Sequence, residues 1–379
     1  MDFLDYATLR VIWWLLLGVL LIGFAIMDGF DLGTGMLLPF VARTDGERRV
    51  VINTVGPVWE GNQVWLILGA GAIFAAWPTI YAVAFSGFYL AMFVVLCALI
   101  LRPVGFKYRS KLAEPRWREI WDWALFVGGF VPALIFGVAM GNALLGAPFA
   151  FDDSMRMSYQ GGFFDLLSPF ALLTGLVSVT MLAMHGGTFL AMKTDGPVAD
   201  RARRAVTIAA LLLMVLFTAA GFWADALDGY RISGTLAHDA DSNPLAKTVL
   251  REAGAWLANY RTMPWMAAAP AAGLAGALLT IVAVRRRAEI PAFLASSLSV
   301  FGVVATAGVS MFPFILPSSL APASSLTVWD ASSSRTTLFI MLTATILILP
   351  IVLAYTAFIY RVMRGKVTER QIETNPLSY

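Results

Sequence analysis

Three acidic side chains, Asp28, Asp31 and Glu60, lie inside or at the edge of long apolar stretches of this sequence. Glu60 belongs to Val58-Trp59-Glu60-Gly61-Asn62-Gln63-Val64-Trp65 and stands about ten residues into its stretch, or ~15 Å along a helix. A charge at the centre of a bilayer costs at least ~2.5–3.5 kcal/mol on insertion scales, so such groups are functional candidates by default. The chemistry open to a carboxyl there is to take up and release protons, and Asn62 and Gln63 can hold water beside it. The plainer reading of Glu60 is a neutral carboxyl hydrogen-bonded between helices. Asp28 and Asp31 are three residues apart and share one helix face. Gly29 and Gly33 repeat at the spacing that lets two helices approach closely. Proton relay and ordinary capping at the inner membrane edge are both open to this pair.

Other reactive groups are scarce. The sequence holds two histidines, His185 and His238, and one cysteine, Cys97. An intrachain disulfide is therefore excluded, as is a cysteine-based metal site. Phosphate-loop, dinucleotide and zinc-peptidase patterns are missing. Heme in a helical bundle needs inward axial ligands, and only His185 lies in an apolar stretch, where a satisfied polar group is the simpler role. A heme bound by this chain alone is not expected. Gly137 and Gly141 form a second close-packing pair. Asp330, ahead of Ser332-Ser333-Ser334, reads as a cap for the last apolar stretch.

The elements that carry these residues follow from composition. Of 379 residues, 59% are hydrophobic and 13% charged, with a mean hydropathy of +0.75. A soluble domain carries about twice that charge, and β-barrel strands give only short alternating segments. The chain is therefore all-α and polytopic, 1–379 forming one membrane domain. Nine apolar runs are legible, near 11–27 (continuing toward 41), 50–76, 80–101, 124–147, 166–192, 205–223, 263–284, 290–316 and 336–359. Each is long enough to cross a ~30 Å hydrocarbon core. Twenty of the 27 Lys and Arg fall after runs one, three, five and seven and in the tail, Arg102 and Arg109 among them. The positive-inside rule then puts the N-terminus outside and the C-terminus in the cytoplasm. A net charge of +3 is too small to argue for a nucleic-acid partner. The outer connection 224–262 should contain a short amphipathic helix, capped by Asn243-Pro244 and carrying Leu245, Val249, Trp256 and Tyr260.

Several segments are familiar in this order. They include Ile12-Trp13-Trp14, Asp28-Gly29-Phe30-Asp31-Leu32-Gly33, Trp59-Glu60-Gly61-Asn62-Gln63-Val64-Trp65-Leu66, Phe74-Ala75-Ala76-Trp77-Pro78 and Phe85-Ser86-Gly87-Phe88-Tyr89. Arg102-Pro103-Val104-Gly105-Phe106, Met311-Phe312-Pro313-Phe314 and Leu326-Thr327-Val328-Trp329-Asp330 continue the series. Together they resemble subunit II of the cytochrome bd ubiquinol oxidase family over essentially the whole chain.

The resemblance implies nine helices, as two four-helix bundles plus a peripheral helix, paired with a heme-bearing subunit I. That partner holds two b hemes and heme d, oxidises quinol and reduces oxygen to water in the bacterial inner membrane, and small single-span subunits join some complexes. Subunit II carries no heme, though some relatives bind a structural quinone in it. Its inner polar residues help conduct protons, with Glu60 at the matching acid and Asp28, Asp31, Asn62 and Gln63 as neighbours. Trp65 matches a tryptophan bordering an oxygen route. Two positions depart from relatives like the enterobacterial enzyme. Val58 replaces a histidine, and Lys107 replaces the aspartate thought to begin the proton route. A reading from another class, a stand-alone proton-coupled transporter, would also suit buried acids, but internal repeats are not visible.

Overall fold

The structure, a computed structural model, describes residues 4–374, so positions 1–3 and 375–379 of the expected domain lie outside it. Its helices are α1 (Tyr6–Val41), α2 (Asp45–Val55), α3 (Trp59–Ala76), α4 (Pro78–Gly87), α5 (Tyr89–Tyr108), α6 (Pro115–Leu145), α7 (Pro169–Lys193), α8 (Gly196–Ala226), α9 (Ala258–Thr262), α10 (Ala268–Arg285), α11 (Glu289–Met311), α12 (Arg335–Val362) and α13 (Glu369–Thr374). Helix starts follow local chemistry. Asp5 accepts from Thr8 N at 2.6 Å, and Thr44 with Glu47 forms a complete capping box on α2. Eight helices among the described residues are long and apolar enough to cross a membrane: α1, α5, α6, α7, α8, α10, α11 and α12, with α10 counted from Pro264 and α5 to Lys111.

Two of the nine expected runs are interrupted. The run 50–76 is two helices, because Pro57 lacks the N–H that would continue α2 and Gly56-Pro57-Val58 turns the chain. Its second half, α3, has 18 residues and a polar first turn containing Glu60, Asn62 and Gln63. The run 80–101 is divided at Phe88, between α4 and α5.

Helices α1, α3, α5 and α6 form one bundle: α1 packs on α3 and α6, and α6 on α5. Helices α7, α8, α10 and α11 close a second ring, and α6 and α1 join it through α7. Helix α12 lies outside both, touching α1 and α3. The bundle seam depends on glycine. A Cβ on Gly33 would collide with the Leu182 carbonyl and with Gly186 at 2.9 Å, and one on Gly137 would strike Thr174. One apolar core runs through both bundles, from Leu32, Trp65 and Val95 to Met181, Ala210 and Ala277.

The basic connections gather at one end. Asp45, the first residue of α2, binds Arg109 at 3.0 Å and Arg118 at 2.6 Å; Glu47 binds Arg201 at 2.6 Å. The tail reaches the same end: Val367 N donates to the Lys193 carbonyl at 2.8 Å, and Lys366 pairs with Asp195 and Glu289. The opposite end is capped by three antiparallel pairs, β1 (Phe149–Phe151) with β2 (Met157–Tyr159), β3 (Asp228–Ser233) with β4 (Thr248–Ala253), and β5 (Phe314–Leu316) with β6 (Leu326–Thr327).

This cap corrects the reading of 224–262. The segment expected as an amphipathic helix holds the β3–β4 hairpin, with α9 only at its end. Asn243 Oδ1 does accept from Leu245 N at 3.1 Å, so the capping signal is real, but it closes a turn rather than starting a helix. Lys247 is buried with Asp330 at 2.7 Å, fixing the hairpin to the loop before α12. Asp330 therefore does not cap α12. Ser334 does, accepting from Thr337 N at 3.3 Å.

Candidate functional site

The buried acids sit on α1, and their partners come from three other helices. Arg102 of α5 reaches Asp28 with both ends of its guanidinium, Nη2 to Oδ1 at 2.7 Å and Nη1 to Oδ2 at 3.1 Å. Its Nη2 is also 3.8 Å from Asp31 Oδ2. Asn62 of α3 donates to that same Asp31 oxygen at 2.9 Å. Tyr360 of α12 donates to Asn62 Oδ1 at 2.6 Å. The result is a continuous polar chain, Arg102–Asp28/Asp31–Asn62–Tyr360, crossing from α5 to α12 through the first bundle. Asp28, Asp31, Asn62 and Arg102 are each at most 2% exposed.

Burying such charges is costly unless they pair, and removing one partner strands the other. Two carboxylates here face one guanidinium, so the cluster has room for one more positive charge. A proton is the smallest group that supplies it. Asp31 Oδ1 and Thr34 Oγ1, one helical turn apart on α1, are buried with no protein partner among the described residues. The arrangement can therefore hold or pass a proton between α1 and α3.

The sequence-predicted residues divide into two groups. Asp28, Asp31 and Asn62 meet in this cluster. Glu60 does not: it lies in the first turn of α3 and is exposed, on the side turned away from Asn62. It is thus not the mid-span buried acid expected from an unbroken run. Gln63 is half-buried and Trp65 buried, its ring against Gly23 of α1 and within the core that contains Val95 and Leu99. Arg102 was missed as a site residue because its place at the end of an apolar run suited a loop cation. It is a helical, buried counterion. The unpaired acids on α1 were the signal for it, since buried carboxylates demand a cation. Arg109 is likewise buried, held by Asp122 at 2.5 Å and Asp45 at 3.0 Å.

Heme ligation finds little support here. His185 is fully buried with Nδ1 2.8 Å from Ser296 Oγ and Nε2 2.9 Å from the Ile26 carbonyl, so both ring nitrogens are engaged. His238 is exposed in the outer connection and stacked on Trp329 at 4.1 Å.

Fold and site together define a polytopic helical membrane protein built around a buried acid–arginine cluster. The sequence pattern of the family described as cytochrome bd terminal oxidase subunit II matches residues 9–363, and this chain belongs to that family. It is 52% identical over 373 residues to cytochrome bd-I ubiquinol oxidase subunit 2 of Escherichia coli (strain K12), covering 98% of both chains. Cytochrome bd ubiquinol oxidase subunit 2 of Bacillus subtilis (strain 168) is 32% identical over 376 residues, covering 98% of this chain and all of that one. The fold is similar to a chain of the bd oxidase from Geobacillus thermodenitrificans, with a TM-score of 0.69 at 19% identity, covering 94% of this chain and 98% of that one.

Proposed function

We propose that this chain is the non-heme subunit II of a cytochrome bd-type quinol:oxygen oxidoreductase in a respiratory chain. The observation that carries the reading is the family match along nearly the whole chain, with 52% identity to a bd-I subunit 2. The hemes, two of type b and one of type d, belong to a heme-bearing subunit I, where quinol is oxidised and oxygen reduced. The engaged nitrogens of His185 support that division, since an axial ligand needs a free ring nitrogen.

This chain's own part is to stabilise the partner and bring protons to it. Reducing oxygen within a membrane consumes protons, and hydrocarbon conducts none. Glu60, exposed on α3, is the acid that can hand a proton across to a neighbouring chain. Asp28, Asp31, Asn62 and Gln63 supply the inner polar groups of this route, with Tyr360 at its α12 side. Trp65, packed in apolar surroundings between α1 and α5, borders the path for oxygen. The basic connections gathered at one end support a cytoplasmic C-terminus and an outer N-terminus in the bacterial inner membrane.

Purification of the tagged chain from its native membrane tests this reading. A second, heme-bearing chain should copurify with b- and d-type absorption, while the chain expressed alone should show no Soret band. A stoichiometric b-type spectrum from the isolated chain, or its purification without a heme protein, overturns the assignment. Cysteines placed at Ser110 and Asp153 in a Cys97-free variant should label from opposite sides of the membrane, Ser110 from the cytoplasm.

A further inference from the structure

His185 is the membrane histidine that the proton route leaves unused. It belongs to α7, is fully buried, and lies nearly parallel to the Phe293 ring of α11 at 4.9 Å. Nε2 lies 2.9 Å from the Ile26 carbonyl oxygen of α1. A carbonyl can only accept, so Nε2 carries the hydrogen and Nδ1 the lone pair. Ser296 Oγ of α11, 2.8 Å from Nδ1 and also 2.8 Å from the Phe293 carbonyl, is then the donor to it, its one hydrogen shared between the two acceptors. Thr188 Oγ1 stands 2.9 Å from Ser296 Oγ and completes the brace. Ring orientation and tautomer are both set by these bonds.

The bond lands on α1 two residues before Asp28 and five before Asp31. Phe30, between the two acids, stacks at 4.0 Å on Phe189, one turn beyond His185 on α7. The acid-bearing turn of α1 is thus pinned on one side by α7 and α11, while its carboxylates meet Arg102 and Asn62 on the other. A small rotation or slide of α1 would move both carboxylates against partners fixed on other helices.

We propose that His185 is a positioning residue: braced by Ser296, it holds the Ile26 carbonyl and so sets where α1 presents Asp28 and Asp31 to Arg102 and Asn62. The second bundle thereby adjusts the position of carboxylates whose charge partner lies in the first. The effect on turnover rests on the proton-route reading above, whereas the hold on α1 does not.

The test uses the assembled oxidase with His185→Leu, His185→Gln, Ser296→Ala and, as reference, Asp31→Asn. Leucine fills the space without a donor, while a glutamine amide can still donate to Ile26 and accept from Ser296. His185→Leu should lower quinol-driven oxygen consumption per heme d by about tenfold, less than the ~100-fold that a 1 Å misplacement can cost, and shift its pH profile. His185→Gln should keep at least roughly half the turnover, Ser296→Ala should fall between, and heme content should stay unchanged. Carboxyl infrared bands assigned through Asp31→Asn should move in His185→Leu and not in His185→Gln. Wild-type turnover with unmoved bands in His185→Leu overturns the proposal. So does equal loss in Leu and Gln, or loss of heme in His185→Leu. Should Asp31→Asn itself turn over like wild type, the proton route fails, and the infrared bands still decide whether His185 holds α1.

Discussion

The two bundles bury polar groups in different ways. In the first, α1, α3 and α5 bring together the charges of Asp28, Asp31 and Arg102, with Asn62 as intermediary. In the second, the buried polar side chains are His185, Thr188, Thr280, Ser296 and Ser299, and their bonds go to one another or to backbone carbonyls. Its helices approach where they lack side chains: a Cβ on Gly276 would strike Ser299, and one on Gly302 would strike Gly273. The contrast separates a bundle that buries charge from one that is a packed brace. Such a brace can be rigid because nothing within it has to change charge.

The largest effect should come from leaving the carboxylates without their cation. Arg102→Leu strands two buried acids, a change of about 3–5 kcal/mol, and the oxidase should fail to assemble. Arg102→Lys keeps the charge but loses the two-pronged grip, so heme content should partly survive. Normal heme content in Arg102→Leu would erase the distinction between the bundles.

Glu60→Gln comes next. It should assemble with normal heme, since an exposed side chain supports little packing, yet lose turnover by about tenfold or more, with Glu60→Asp retaining more. Turnover normalised to heme d measures this. A Gln variant that matches wild type would leave the inner cluster without an outlet through Glu60.

In the second bundle a single bond should matter less. Ser299 Oγ donates to the Gly273 carbonyl at 2.8 Å, joining α11 to α10. Ser299→Ala should cost about 1 kcal/mol, seen as a lowered unfolding temperature with turnover per heme unchanged.

The smallest effect lies in the outer cap. Burial pushes the Tyr230 phenol up to about 12, from an ordinary 10, and its hydroxyl donates to the Leu145 carbonyl at 3.1 Å. The folded state thus keeps a proton that the unfolded chain releases. The Tyr230 contribution is complete below pH ~10 and is lost as pH rises toward 12. Thermal unfolding of Tyr230→Phe should therefore show a weaker decline between about pH 10 and about pH 12 than wild type.

Much of the architecture was legible because hydrocarbon imposes a strong pattern. Seven of the nine apolar runs are single long helices, and the basic connections do collect at one end. The second run misled because its apolar residues continue across Gly56-Pro57, where backbone chemistry ends a helix that hydropathy does not. That error placed Glu60 at mid-depth. The Asp28–Asp31 pair was legible as a shared face, but its partners were not. Arg102 is 74 residues from Asp28 in the chain, and Tyr360 is 298 from Asn62. Pairings over such distances are set by how bundles pack, which no local spacing encodes. The outer hairpin was missed for a related reason. Val249, Trp256 and Tyr260 recur as on a helix, while the pairing of Tyr230 with Arg251 and of Ile232 with Val249 overrides that period.

The polar first turn of α3 bears on how the chain is made. Glu60, Asn62 and Gln63 leave this 18-residue helix outside the group apolar enough to cross on its own. A segment of that kind gains little by leaving the translocon for lipid alone. It is held instead by polar contacts inside the protein, α1 offering Asp31 to Asn62 and the later helix α5 bringing Arg102 to Asp31. The pairing that neutralises the α1 carboxylates is thus also what gives the polar start of α3 its place in the bundle.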